Sequence, residues 1–163
     1  MKRALCLLLL VFSAYGYGQD FAARFMEQCE DRDELRCQTI GPRMMERLID
    51  VPAATAENKG EADTGYLLSR LKSARIVTTE RHGEKYFDQA RQLIEKNRNR
   101  FAPLSENTTA GNNQIFVRRH DGRILELVML NFNPEEEVLT IVDFTGEMDD
   151  GFIRRLKGRK RDD

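Results

Sequence analysis

Tryptophan is absent from the 163 residues, histidine occurs twice and proline four times. Two histidines leave little material for imidazole-based catalysis. The sequence also holds no G-x-S-x-G, H-E-x-x-H, Walker loop or G-x-G-x-x-G to organise a known chemistry. Neither sign of charge is in excess, with 26 Lys+Arg against 27 Asp+Glu and an isoelectric point near 6.2. That balance argues against nucleic-acid binding on a basic face and against an acidic disordered tail. Only three cysteines are present and no C-x-x-C, so a thioredoxin-type redox role has no support. Cysteines without neighbouring histidines do not complete a zinc shell, and no metal or other cofactor is expected. No Pro- or Ser-rich linker and no internal repeat divides the chain, and the length suits one domain.

One apolar run stands out against a mean hydropathy of −0.57. Lys2 and Arg3 precede the apolar stretch Ala4 to Phe12, which is of signal-peptide length and too short to span a bilayer. Small residues at Ala14, Gly16 and Gly18 supply two cleavage patterns, before Tyr17 or before Gln19; the second is favoured. Residues 1–18 are therefore expected to be a signal peptide, with 19–163 a single exported domain that has no stable membrane insertion. Cys6 lies inside the apolar run with Arg3 where a lipid-anchor motif wants an apolar residue, so no anchor is expected there.

Cleavage leaves Cys29 and Cys37 in an oxidising compartment, where a disulfide is the expected state. Eight residues of continuous helix rise about 12 Å, beyond the roughly 7 Å Cα separation a bridge tolerates. A helix starting near Asp20 must then end between the two, and the charged run from Glu30 to Glu34 is the natural break. On a chain-entropy basis so short a loop contributes about 2–3 kcal/mol.

Phe21, Ala22, Phe25 and Met26 recur at helical spacing, and Leu35 to Ile40 alternates as a half-buried strand. Pro42 suits the first turn of a helix carrying Met44, Met45, Leu48 and Ile49, whose methionines read as core filling rather than a soft-metal site. Val51 to Gly65 lacks periodicity and reads as the longest loop. A β-prone segment, Ala74 to Thr79, is ended by Gly83, after which a second long helix begins whose buried stripe is Phe87, Ala90, Leu93 and Ile94. From Phe101 the period becomes two. A strand over Phe101 to Ser105 puts Pro103 at an edge, and strands follow over Gln114 to Arg119, Ile124 to Phe132 and Glu137 to Thr145, the Asp121-Gly122 pair signalling a hairpin. Leu125 to Leu130 and Val138 to Val142 are apolar on both faces, as strands covered on both sides would be. Asp149 and Asp150 open a short closing helix docked by Phe152, Ile153 and Leu156. The expected class is α+β: a two-layer domain, helices on a mostly antiparallel sheet, ending in a β-meander and a closing helix.

The layout, together with Ile124-Leu125-Glu126-Leu127-Val128-Met129-Leu130 and Leu139-Thr140-Ile141-Val142-Asp143-Phe144-Thr145-Gly146-Glu147-Met148-Asp149, resembles the family known as domain of unknown function 4252. That resemblance implies a small exported protein of a Gram-negative bacterium, in the periplasm or cell envelope, with no agreed catalytic residues. The Cys29/Cys37 pair is not part of the family pattern.

Two residues stand as weak site candidates. His82 sits at a strand-to-helix junction where a general base could be presented, though no nucleophile is placed beside it. Asp143 lies in an apolar strand where burial could raise its pKa; the plainer reading is an acceptor of hydrogen bonds. His120, beside Asp121, belongs to a solvated turn. Arg118 and Arg119 point to opposite faces and form no anion clamp. The basic C-terminus from Arg154 to Arg161 reads as a solvated tail rather than a lipid-binding patch. Asn107-Thr108-Thr109 is a formal sequon, relevant only in a eukaryote. The expected role is a non-catalytic module that binds a protein or envelope component. A small hydrolase-like enzyme and a module enclosing an apolar ligand are the alternatives.

Overall fold

A computed structural model describes residues 19–44, 59–105 and 111–158. The signal-peptide reading of residues 1–18, Cys6, the helix positions Met45, Leu48 and Ile49, the sequon, and Arg159 to Arg161 lie outside the described residues.

The elements are α1 (Phe21–Gln28), a 3-10 turn (Arg32–Glu34), β1 (Leu35–Ile40), α2 (Lys59–Ser69), β2 (Leu71–Thr79), α3 (Gly83–Lys96), β3 (Ala102–Pro103), β4 (Asn113–His120), β5 (Arg123–Asn133), β6 (Val138–Met148) and α4 (Asp150–Gly158). All six strands join one antiparallel sheet in the order β1-β2-β6-β5-β4-β3. The α+β class, the C-terminal run of strands and the closing helix are as the sequence predicts. Helices stand on both faces: α1 and α3 on one, α2 and α4 on the other. Successive strand residues point to opposite faces, so Val128 and Leu130 join the cluster of Phe21, Phe25 and Phe87, while Leu127 joins that of Leu67, Met148 and Phe152. This is why β5 and β6 read as apolar on both sides.

Local chemistry sets the joints. Asp121 (φ 48°) and Gly122 (φ 75°) make the tight hairpin between β4 and β5. Asp149 opens α4, its Oδ1 accepting the Phe152 N–H at 2.8 Å and the Tyr66 hydroxyl at 2.7 Å. Those bonds, the Tyr66 hydroxyl first, hold the Asp149 carboxyl below the usual carboxylate range and tie α4 to α2. Gly83 donates its N–H to the Glu137 carbonyl at 2.8 Å. A Cβ there would stand 2.6 Å from the Glu137 carbonyl carbon and 2.9 Å from the Leu139 nitrogen, so the approach of α3 to the head of β6 admits only glycine.

The structure departs from the expectations at four places. Residues from Lys59 form helix α2, although Val51 to Gly65 reads as loop; the apolar residues Tyr66, Leu67 and Leu68 crowd its final turn and leave no stripe along its length. Met44, expected in the core, is exposed. The strand expected over Phe101 to Ser105 shortens to Ala102–Pro103, and β6 runs on to Met148. Finally, Cys29 and Cys37 are both free thiols rather than a bridge. Helix α1 does end between them, with Cys29 as its C-cap. Yet the Cys29 sulfur is buried against Gln89 of α3 (3.7 Å to Oε1), whereas Cys37 is exposed on β1 with its sulfur 3.8 Å from Thr39 Oγ1.

Candidate functional site

A helix N-terminus leaves backbone N–H groups without intrahelical partners, and carboxylates are their best acceptors. At α1 three carboxylates take them in succession. Asp20 caps the helix, its Oδ1 accepting the Ala23 N–H at 2.7 Å. The Phe21 N–H donates to Glu126 Oε1 at 2.6 Å, and the Ala22 N–H to Asp143 Oδ2 at 2.8 Å. Glu126 and Asp143 are fully buried in the central strands β5 and β6. Their register places Glu126 opposite Thr145 and Asp143 opposite Val128, so the two carboxylates are diagonal neighbours under α1.

Arginines flank this acidic pair along the sheet. Arg118, opposite Glu126 on β4, donates Nε–H to Glu126 Oε2 at 2.7 Å, and an Arg100 nitrogen lies 3.9 Å from the same oxygen. Arg75, opposite Asp143 on β2, pairs with Asp20 Oδ2 at 3.1 Å. Asp143 Oδ1 and Arg75 Nε are buried with no partner among the described residues. Burial first, then the negative charge of Glu126, pushes the Asp143 carboxyl up to about 8, opposed by the hydrogen bond from Ala22. A carboxyl so placed is protonated at neutral pH. Asp143 accepts a hydrogen bond from the backbone and helps lock α1 to the sheet.

His82 lies elsewhere. It is the N-cap of α3 at φ 55°, mostly exposed, with Nδ1 3.1 Å from Glu34 Oε2. The Tyr86 hydroxyl donates to the same oxygen at 3.0 Å, and the His82 and Tyr86 bonds hold the Glu34 carboxyl below its ordinary range. His82 thus pins the 3-10 turn before β1 to the start of α3. The structure does not bring His82 and Asp143 together, and neither lines the groove or the hollow described below. His120 is exposed in the hairpin, 3.3 Å from Asp121. Among the described residues no group of His, Cys, Asp and Glu is arranged to hold a metal, and no helix is long and apolar enough to cross a membrane.

A groove of about 820 Å³ lies between the C-terminal half of α3 and the edge formed by β3 and β4. Its floor is apolar: Ile94, Phe101, Pro103 and Phe116, with buried Gln114 at one side. Its rim is α3's outer ridge, where Asp88–Arg91 (3.7 Å) and Glu95–Arg98 form i, i+3 ion pairs. Phe101 packs edge-on against Phe21, 5.8 Å between ring centroids, so the groove floor backs onto the first residue of α1 and its carboxylate lock. A second hollow of about 170 Å³ lies between α1 and α3 beside Cys29.

Sequence reasoning singled out Asp143 but missed Glu126 and the groove. The signal for Glu126 was a single charge within Leu125 to Leu130, an apolar run that has no solvent-facing side to receive it. The groove joins α3 to strands that follow it, and no local pattern announces such a joint.

A family model described as a domain of unknown function (DUF4252) matches residues 31–156. No curated protein and no solved structure matches the chain.

Proposed function

For a chain that belongs to the DUF4252 family of domains of unknown function, we propose the role of an exported, non-catalytic binding domain of the periplasm or cell envelope, whose partner seats between α3 and the β3–β4 edge. Export is supported by Lys2-Arg3, the apolar run from Ala4 to Phe12 and the small residues ending at Gly18. The observation that carries the binding reading is the groove itself: an apolar floor of Phe101 and Phe116 beneath a rim of paired charges. Binding sites combine apolar contact area with a few polar groups that fix orientation, and this groove offers both. The two residues considered for catalysis have structural employment, Asp143 under α1 and His82 against Glu34.

The test is affinity capture of envelope components by the exported chain and by an Arg91→Glu/Arg98→Glu variant. A partner held by the wild type and lost by the variant supports the groove; equal capture by both refutes it.

A further inference from the structure

We propose that two copies of this chain pair antiparallel along β1, related by a two-fold axis at Cys37, so that the sheet continues from one molecule into the other. β1 is the outermost strand on its side of the sheet. The Glu80 N–H donates to the Glu34 carbonyl at 3.3 Å, and the register runs unbroken through Arg36 opposite Thr78 and Gln38 opposite Ile76. Hydrogen-bonded pairs alternate along an antiparallel ladder, so Glu34, Arg36, Gln38 and Ile40 bond inward to β2. The N–H and C=O of Cys37 and Thr39, with the C=O of Leu35, therefore point away from the sheet. No hydrogen bond among the described residues takes them up, and Arg36 to Thr39 are all exposed.

Among the described residues the opposite edge is guarded and this one is not. β3 is two residues long and its Pro103 has no N–H to offer. β1 has six residues with no proline, no lysine and no bulge. Its sole charge, Arg36, is paired with Glu80 on the neighbouring strand side.

The sequence of β1 favours a second copy as the occupant. Centred on Cys37, an antiparallel pair sets Leu35 opposite Thr39 and Arg36 opposite Gln38, engages all three outward-facing residues, and opposes no like charges. Centring on Arg36 would set two guanidinium groups face to face. Centring on Gln38 leaves the Leu35 carbonyl unused. A shift by one residue puts outward groups against inward ones and makes no ladder.

Two readouts test this on the full exported chain. A short bis-maleimide should join the two chains through Cys37 alone, since a hydrogen-bonded pair brings Cα atoms to about 5.5 Å, and Cys37→Ser should abolish the link. In sedimentation, Gln38→Arg should weaken the dimer several-fold by facing Arg36 of the other copy, and Gln38→Glu should strengthen it several-fold. Thr39→Pro, which removes only an outward N–H, should give a monomer that still unfolds cooperatively. A wild-type chain that stays monomeric at high micromolar concentration, equal dimerisation of the two Gln38 variants, or a dimer that survives Thr39→Pro overturns the proposal.

Discussion

Glu126 and Asp143, diagonal neighbours on adjacent central strands, each accept a backbone N–H from the first turn of the same helix, Phe21 to Glu126 at 2.6 Å and Ala22 to Asp143 at 2.8 Å. Two buried carboxylates this close cannot both carry charge cheaply, and Arg118 is the direct charged partner of Glu126. The arrangement fixes α1, and through Phe21 and Phe101 the floor of the groove.

Asp143 makes stability pH-dependent in a definite direction. Its folded pKa, near 8, lies above its unfolded value, so its contribution is fully present below the ordinary carboxylate range and is lost as pH rises toward 8. Asp143→Asn keeps an acceptor for the Ala22 N–H and removes the charge. Thermal melts should show the variant more stable than wild type by about 1.4 kcal/mol or more at pH 8, with the gap closing as pH falls toward 4. A gap independent of pH would contradict the assignment.

Substituting Glu126 should destabilise the fold. Glu126→Ala strands Arg118 and the Phe21 N–H, and a broken buried pair costs about 3 kcal/mol; Glu126→Gln, which retains an acceptor, should cost less. Denaturant midpoints of the two variants give the comparison.

Thiol reactivity should divide between the two cysteines. Burial pushes the Cys29 thiol up to about 11, while Cys37 is exposed. Alkylation of the reduced folded chain followed by peptide mapping should label Cys37 within the first minutes and spare Cys29 until denaturant is added. Equal labelling would show that the cap beside Gln89 opens readily.

Gly83→Ala tests the seating of α3 against β6. The added methyl meets Glu137 and Leu139 backbone that cannot move aside without shifting the strand, and overpacking of this kind costs roughly 1–3 kcal/mol. Chemical denaturation measures it; a neutral result would mean that α3 can rise from the sheet at no cost.

Most of the fold was legible because local rules govern it. Asp121-Gly122 announces its hairpin, Leu35 to Ile40 its strand although only Leu35 there is buried, and Phe87, Ala90, Leu93 and Ile94 their helical stripe. Helix α2 escaped notice because its apolar residues, Tyr66, Leu67 and Leu68, fall together in its final turn, which leaves Lys59 to Thr64 without periodicity. The strand order was equally hidden: β2 lies against β6, a pairing over some seventy residues that no turn signal specifies. The site was half legible. Asp143 stood out as a charge in an apolar strand, but its neighbour Glu126 and their common load, the N-terminus of α1, meet only through contacts more than a hundred residues apart in sequence.

The groove between α3 and the β3–β4 edge is the proposed seat of a partner. Placing a photo-cross-linking amino acid at Gln92, on the groove wall, and at Lys72, on the exposed face of β2 away from it, tests this directly in intact envelopes. One discrete adduct is expected from Gln92, disappearing with Arg91→Glu/Arg98→Glu, and none from Lys72. No adduct from Gln92, or the same adduct from both positions, would contradict it.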